Sequence, residues 1–544
     1  MNNGRDDRTR PVLIDARTLT ACRHHLHLDT SLPLLVEGVP EDSGIKQRRE
    51  AAAQHRENVR DTLTALGSQW SVIGPDAPTA ERAKATMAAC EAGVERIWGA
   101  VLPSEFDTGR RGKSEILIRD SDRGGYIPVI VVNHKVTDPR NGDSEGGATT
   151  TPFDVWAPRE DPTRKVRPQP RDLMRLAHLY RMLQRQGQAS PAVVGGAIGF
   201  GFDTIVVHDL APVLGEYDLR FADRIAVARG ELPTVPSQVP ECRSCPWWQS
   251  CHKWLTEARD VSLVASGSRA EVLRAEGVHT IDQLAQWDGP QPQDWQHGTF
   301  ADAVVTAQAW LADVPLVRRF DEVEVQRADV EVDIDMESYQ EHGAYLWGTL
   351  LDGTYRSFVT WDPLPTSDEG RSFGEFWVWL MGVREQAAAD GKTFAAYCYS
   401  RQAEDKWLLE SARRFLGQPG VPSVDEVRAF IDGPQWVDIY QVVSEQFICP
   451  NGKGLKKIAP VAGFNWRDAE AGGEASMAWY REAVGYDAEP DLTQRQRLLE
   501  YNEDDVIATK VLREWMSDRA VTEVPQVAQL RTHLQPEREV LPTP

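Results

Sequence analysis

The segment Asp329-Val-Glu-Val-Asp-Ile-Asp-Met-Glu337 alternates acidic and apolar residues without a break. Because successive side chains of a β-strand point to opposite faces, this pattern predicts a strand with one apolar and one acidic face. Four carboxylates share the acidic face: Glu331, Asp333, Asp335 and Glu337. Like charges this close repel each other, so the strand requires either water at an exposed sheet edge or bound divalent cations.

A second acidic pattern lies near the C-terminus, in Leu498-Leu-Glu-Tyr-Asn-Glu-Asp-Asp505. The apolar spacing from this point onward predicts a helix. Tyr501 and Asp505 are four residues apart, so a helix presents both side chains on one face.

Between these two patterns, the stretch Tyr397-Cys-Tyr-Ser-Arg-Gln-Ala-Glu-Asp405 offers a further acid, for which Glu404 is the first choice and its neighbour Asp405 the second. The chain thus has three motifs in order: an acid-x-acid strand, a middle acid and a later Tyr-x-x-x-Asp. This order resembles the DEDDy branch of the RNase H-like 3′–5′ exonucleases. The resemblance covers about residues 325–518 and implies a mixed α/β sheet domain.

The same resemblance implies a set of roles for these residues. Two Mg²⁺ or Mn²⁺ ions are expected on four carboxylates, those of Asp335, Glu337, Glu404 and Asp505. Such an ion pair holds the attacking and leaving oxygens of a phosphodiester. Tyr501 is expected to orient the attacking water. The loop with Lys456 and Lys457 is expected to contact the phosphate backbone, although a solvated surface turn explains these lysines equally well.

A cysteine group marks the first half of the chain: Cys242 and Cys245 stand three residues apart, Cys251 follows, and Cys22 lies far upstream. Thiolates favour soft metals, which leaves three alternatives for this group. It holds zinc with His24 or His252 as a further ligand, it holds an iron–sulfur cluster, or it binds nothing. The spacing resembles that of RecB-like nucleases carrying a 4Fe–4S cluster, which implies that the four cysteines hold such a cluster.

RecB-like nucleases belong to the PD-(D/E)XK class, and the resemblance covers roughly residues 10–255. It implies a metal site with His55 and Glu115 as ligands and Lys135 as a catalytic residue. Asn133 stands where the family has an acid, and an amide oxygen is a poorer ligand for Mg²⁺ than a carboxylate. An active nuclease site and a retained fold that only binds nucleic acid or organises the cluster are both compatible with this sequence.

These patterns predict an α/β multidomain protein. Residues 1–255 form a RecB-like, restriction-endonuclease-type domain with the cluster, and 256–318 a small helical module similar to a helix-hairpin-helix. Residues 319–520 form the RNase H-like DEDDy domain, and 521–544 an extended tail. The hairpin resemblance rests on Gly277 and Thr280.

Composition limits the classes of function further. Sixty basic against eighty-two acidic residues give a net charge of −22, which excludes a broadly basic polymer binder but not a local basic patch such as 159–175. Seven cysteines do not suggest a disulfide framework, and the N-terminus lacks the apolar segment of a signal peptide. We expect a cytoplasmic protein without a membrane partner.

The sequence therefore predicts a metal-dependent nuclease in DNA repair or processing, with the chemistry in the C-terminal domain and DNA favoured over RNA as the nucleic acid. The alternative is a catalytically inactive iron–sulfur scaffold that binds nucleic acid.

Overall fold

The computed structural model describes residues 11–32, 43–66, 70–140, 146–296, 298–468 and 472–533. The chain divides into two compact units, Met1–Trp254 and Leu255–Pro544, called the N-terminal and C-terminal units below. The first ten residues, predicted to be frayed, lie outside the described residues.

The N-terminal unit is built on one large mixed sheet. Its strands are β1 (Trp70–Val72), β2 (Arg96–Glu105), β3 (Arg110–Arg119), β4 (Tyr126–Val131), β5 (Thr137–Pro139), β6 (Ala148–Thr151), β7 (Arg159–Asp161), β8 (Arg164–Val166), β9 (Val194–Ile198) and β10 (Ile205–Asp209). Eight strands pair in the order β1-β2-β3-β4-β9-β10-β6-β7, and β5 pairs with β8. The helices are α1 (Arg23–Ser31), α2 (Ser43–Ala65), α3 (Thr79–Glu91), α4 (Pro170–Arg185), α5 (Leu214–Ala228) and α6 (Trp248–Glu257), the last of which runs across the boundary between the units.

Two apolar clusters cover the two faces of this sheet. The larger one joins the strands to α3 and α4, and the smaller one joins them to α2 through Val59 and Leu63. Strands β3 and β4 form an antiparallel β-hairpin. Its turn needs Gly125, since φ is +78° and a Cβ there would lie 2.5 Å from the Ala189 carbonyl oxygen.

The C-terminal unit begins with short helices and continues as a mixed α/β fold. Its strands are β11 (Val317–Arg318), β12 (Val330–Tyr339), β13 (Gly343–Leu351), β14 (Thr354–Val359), β15 (Phe394–Cys398), β16 (Trp436–Asp438) and β17 (Phe447–Ile448). Its helices are α7 (Ser268–Ala275), α8 (Ile281–Ala285), α9 (Phe300–Leu311), α10 (Asp368–Ala389), α11 (Gln402–Arg414), α12 (Val424–Ile431), α13 (Ile439–Gln446), α14 (Leu455–Ile458), α15 (Gly473–Val484), α16 (Leu492–Asp518), α17 (Ala520–Glu523) and α18 (Val527–His533).

Strand β12, which carries the alternating segment, is the middle strand of a five-stranded sheet ordered β14-β13-β12-β15-β16. It runs antiparallel to β13 and parallel to β15. Of the two ways to offset the repulsion, water at an exposed sheet edge is therefore excluded. Its apolar side chains Val332, Ile334 and Met336 pack with α10 and α11. The acidic face of β12 points to the opposite side of the sheet. The repulsion between its carboxylates has to be offset there by something other than bulk water.

Helix α16 supplies part of that compensation. Arg513, only 1% exposed, pairs with Glu331 and with Asp333, where Nη2 lies 2.8 Å from Oδ2. The guanidinium also lies over the Tyr397 ring, 4.2 Å from its centroid. Burial alone would raise the pKa of Glu331, but the hydrogen bond from Arg327 and the charge of Arg513 lower it to about 2. One half of the acidic face is thus neutralised by protein.

The helical segment before the five-stranded sheet packs on the two-stranded sheet formed by β11 and β17. Helices α7, α8 and α9 share an apolar cluster, and Gly277 forms the turn between the first two with φ +80°. Val305 and Ala309 on α9 belong to a second cluster that includes Ile448 on β17. The segment 256–318 and the sheet domain are accordingly one compact unit.

The prediction of an extended tail from 521 is wrong where the structure describes it. Residues 520–533 form α17 and α18, and Leu530 is 1% exposed in the cluster with α9. The backbone N–H of Arg318 donates to the Pro525 carbonyl at 2.9 Å. The apolar residues Ala520, Val524, Val527 and Leu530 recur every three or four positions, and this periodicity outweighs the prolines. Within the described ranges, no helix is both long and apolar enough to span a bilayer.

Replacing Arg513 tests the neutralised half of the acidic face. Arg513→Met leaves Asp333 buried without its charge partner, which is expected to lower the free energy of unfolding of the C-terminal unit by about 3–5 kcal/mol. Urea denaturation of the full chain measures this change. Arg371→Met is the matched control, because its pairs with Asp368 and Glu375 are exposed and contribute about 0–1 kcal/mol. Equal losses for both variants would contradict the interpretation.

Candidate active site

Three carboxylates meet where β12 and α16 pack together. Asp335 and Glu337 extend from β12 and Asp505 from α16, and one oxygen from each lies within 4.8 Å of the other two. Glu337 and Asp505 are buried and Asp335 is half-buried. Across the described residues this is the one group of three or more His, Cys, Asp or Glu side chains close enough to share a metal ion.

Burial and mutual repulsion make these acids costly to ionise without a cation. Burial, followed by repulsion from Asp505, raises the pKa of Glu337 to about 8. Burial raises the pKa of Asp505 to about 6, although the charge of Lys456 opposes the shift. The pKa of Asp335 also rises, because of burial and then the charges of Asp505, Glu337 and Glu404. A site of this kind favours a divalent cation.

Neutral donors fix the orientation of each of the three acids. The Asn502 amide donates to Asp335 Oδ2 at 2.7 Å, and the Ser476 hydroxyl to Glu337 Oε2 at 3.2 Å. The Trp466 indole N–H donates to Asp505 Oδ1 at 2.6 Å. Because these donors carry no charge, they orient the carboxylates without cancelling the negative potential that would attract a metal ion.

Asn502 is itself held from the far side. Its Oδ1 accepts a hydrogen bond from the Tyr355 hydroxyl at 2.7 Å. It also packs on Gly348 of β13, where a Cβ would lie only 1.6 Å from Asn502 Oδ1. Only glycine leaves room for this amide, so the strand next to β12 takes part in positioning Asp335.

Glu404, the predicted middle acid, sits on α11 facing this group. It is 4% exposed, and its Oε2 is buried without a hydrogen-bond partner. Burial, followed by repulsion from neighbouring acids that include Glu337, raises the pKa of Glu404 to about 8. The second choice, Asp405, is occupied elsewhere, because it accepts from Arg401 at 2.7 Å and from the Trp436 indole at 2.8 Å. Glu404 is not among the three acids whose oxygens lie within 4.8 Å of one another, but its unpartnered oxygen is more available than the carboxylate of Asp405.

Tyr501 and Lys456 stand beside the acids. The Lys456 ammonium is 3.4 Å from the Tyr501 hydroxyl and 4.5 Å from the centroid of its ring. Burial, followed by the negative charges of Glu337 and Asp505, raises the pKa of Tyr501 far above its usual value. The phenol therefore keeps its proton. Lys457, by contrast, is exposed on α14.

The residues predicted for the N-terminal unit do not form a comparable group. Glu115 on β3 accepts from Arg175 Nη2, which lies 2.7 Å from both carboxylate oxygens. His55 on α2 has a buried Nε2 without a hydrogen-bond partner and stacks near Phe200. Lys135 is exposed, beside the half-buried Asn133. The structure does not bring His55 and Glu115 into a three-ligand set with any described His, Cys, Asp or Glu.

The four predicted cysteines do come together. Cys22, Cys242, Cys245 and Cys251 line one cavity of about 170 Å³ in the N-terminal unit, and all are free thiols. Burial raises the pKa of Cys251 to about 11, and the neighbouring thiols add to this shift. His24 also lines the cavity, with its Nδ1 2.9 Å from the Thr234 hydroxyl, whereas His252 is not among the lining residues.

Comparison with known families bears on the C-terminal unit. Residues 374–517 match a family model described as the RNase H superfamily. The C-terminal unit contains an RNase H-like domain. The match includes Glu404, Lys456, Tyr501 and Asp505 but begins after β12, so Asp335 and Glu337 are assigned to the site by geometry. No curated protein and no solved structure matches the chain.

An RNase H-like domain indicates a nuclease-type hydrolase, with nucleic acid as its substrate and divalent metal ions as its cofactors. Three residues that position this site could not be identified from the sequence, namely Trp466, Ser476 and Asn502. Asn502 follows Tyr501 directly and offered at most a weak signal. The other two carry no motif at all.

Metal binding to this site is expected to depend on pH. Since burial raises the pKa of Glu337 and Asp505, their ionisation lowers the stability of the metal-free protein as pH rises from about 5 to about 8. Mn²⁺ should therefore raise the melting temperature more at pH 8 than at pH 5, where the ion must displace protons. Differential scanning fluorimetry measures this difference.

The control for this experiment is an identical chemical change away from the site. Asp335→Asn should reduce the Mn²⁺-dependent shift, whereas Asp352→Asn, at the exposed turn after β13, should leave it intact. A shift that is independent of pH, or is equal in the two variants, would place the bound ion elsewhere.

Proposed function

We propose that this protein is a metal-dependent exonuclease that hydrolyses nucleic acid from the 3′ end in its RNase H-like domain. The convergence of Asp335, Glu337 and Asp505 from a strand and a helix carries the proposal. The order of the acids and the Tyr-x-x-x-Asp spacing resemble the DEDDy exonucleases, and this resemblance supports the 3′–5′ polarity. We further propose a role in DNA repair or processing, with DNA favoured over RNA as the substrate.

Asp335, Glu337, Glu404 and Asp505 would hold Mg²⁺ or Mn²⁺, and the buried, unpartnered Oε2 of Glu404 supports its inclusion. When bound, such ions supply a hydroxide at neutral pH and stabilise the attacking and leaving oxygens of a phosphodiester. The contribution of the chain is to hold its carboxylates in fixed orientations. Ser476, Asn502 and Trp466 do so through hydrogen bonds of 2.6–3.2 Å.

Tyr501 and Lys456 would act on the substrate side of the acids. The phenol retains its proton, so it can donate a hydrogen bond and orient a water molecule rather than act as a nucleophile. The Lys456 ammonium lies beside it and adds a positive charge where a phosphate oxygen would approach. Lys457 on the exposed side of the same short helix would contact the backbone further along the strand.

We further propose that the four cysteines hold a 4Fe–4S cluster that stabilises the N-terminal unit. All four thiols line one cavity, yet no three of them have sulfurs within 4.8 Å of one another. Thiolates bound to a single zinc ion at 2.3 Å would lie about 3.8 Å apart. This wider spacing of the sulfurs supports a cluster over a single zinc ion. Because four thiols already line the cavity, neither His24 nor His252 is needed as a ligand.

Cleavage by matched variants tests the exonuclease proposal. End-labelled single- and double-stranded DNA and RNA are incubated with Mn²⁺, and wild type is expected to yield a ladder shortened from the 3′ end. Asp505→Asn should lose activity by more than the roughly 10–100-fold that removal of an outer partner of a metal ligand costs. Asp518→Asn, at the exposed end of the same helix, should retain full activity.

The N-terminal unit is tested in the same assay. Glu115→Gln is expected to leave cleavage unchanged, because the Glu115 carboxylate is already bound by Arg175. If Asp505→Asn still cuts and Glu115→Gln does not, the chemistry belongs to the N-terminal unit. If the folded wild type cuts none of the four substrates, the protein is a nucleic-acid-binding scaffold instead.

The cluster is tested by visible absorption. Protein purified without oxygen should absorb broadly in the visible range, and Cys251→Ser should reduce this absorption and the iron content. Cys449→Ser removes a free cysteine from the C-terminal unit and should change neither quantity. A colourless protein that contains stoichiometric zinc would refute the cluster.

A further inference from the structure

A cleft rich in positive charge runs along β3 in the N-terminal unit. It consists of a cavity of about 680 Å³ and an adjoining one of about 340 Å³, which share Arg56, Lys113 and Glu115 among their lining residues. Seven cationic side chains line the two cavities together: Arg17, Arg56, Arg60, Arg82, Arg111, Lys113 and Arg175. Three acids line them as well: Asp15, Glu57 and Glu115.

Several of these positive charges are not compensated. Asp15 pairs with Arg17 at 3.0 Å and Glu115 with Arg175 at 2.7 Å, so two of the three acids are taken. Among the residues that the structure describes, Arg56 and Lys113 form no ion pair, and Arg111 makes no close pair but attracts Asp15, which is already paired with Arg17. On a chain with a net charge of −22, a cavity with this excess of cations is a specific feature and not a consequence of composition.

The state of Glu115 decides which kind of ligand this cleft suits. Its two oxygens accept from the Arg175 guanidinium, and Oε2 also lies 3.3 Å from the Val131 backbone N–H. These contacts take three of the roughly four lone-pair positions of the carboxylate, and the cations around it repel a metal ion. The cleft is therefore electrostatically complementary to an anion.

We infer that this cleft binds the phosphate backbone of a nucleic-acid strand and does not cut it. Exposed Arg111 and Lys113 can reach successive phosphates of a polymer. The aromatic rings that line the two cavities are His178 and Trp98, and both are buried. Contacts from the exposed cations to phosphates carry no sequence information, so recognition through the backbone is independent of sequence. The inference stands without the proposed exonuclease, because it concerns binding by another unit.

The salt dependence of binding tests the inference. A fluorescein-labelled single-stranded DNA, and the RNA of the same sequence, are titrated with the full chain carrying Asp505→Asn, without added divalent ions, and fluorescence anisotropy is recorded at several salt concentrations. Adding Arg56→Gln and Lys113→Gln should weaken binding at least about tenfold and reduce the log–log salt slope by about 1.4, since each lost phosphate contact of a single strand contributes about 0.7.

The matched control adds Lys84→Gln and Lys392→Gln instead, which remove two exposed cations that line neither cavity. This variant should bind like its parent, and both double variants should keep the parental melting temperature. Equal weakening by the two double variants, or an unchanged salt slope in the cleft variant, overturns the inference. The outcome does not depend on cleavage, since binding is measured on a parent that carries Asp505→Asn, and only the difference between the two double variants is interpreted.

Discussion

Four carboxylates on one face of a buried central strand set the main constraint on the C-terminal unit. Their repulsion has to be offset within the fold, and α16 meets this need at two separate points. Arg513 neutralises Glu331 and Asp333, while Asp505 joins Asp335 and Glu337 at the other end of the same face. The eight residues from Asp505 to Arg513 span about 12 Å of helix, and the four from Glu331 to Asp335 span about 13 Å of strand. The two intervals match, so one helix can contact both ends of the acidic face.

The two halves of this face differ in how their negative charge is compensated. One half receives a buried arginine and becomes a structural ion-pair network. The other half receives three neutral hydrogen-bond donors and keeps most of its charge, with Lys456 as a nearby cation. The uncompensated acids of the second half lower the stability of the fold, as expected where buried acids serve binding rather than folding. The sequence pattern is the same in both halves, and only the partners distinguish them.

Much of this arrangement could be predicted from the sequence, because it rests on period-two and period-four spacing. The alternation in β12 and the Tyr501–Asp505 pair both follow from local geometry and need no knowledge of the fold. Trp466 and Arg175 could not be found in this way, since each meets its acid only through long-range packing. The tail was misjudged for a related reason. Prolines are visible locally, whereas the cluster that buries Leu530 exists only once distant strands have assembled.

The backbone contact between Arg318 and Pro525 has a consequence for the architecture of the whole chain. Arg318 also forms a parallel β-bridge with Gln526. The chain therefore enters and leaves the RNase H-like domain at nearly the same place. A domain with adjacent ends can be transplanted into a loop of another protein, or permuted, with little strain on its host. The RNase H-like domain is therefore joined to the rest of the chain at one place, where Arg318 lies beside Pro525 and Gln526.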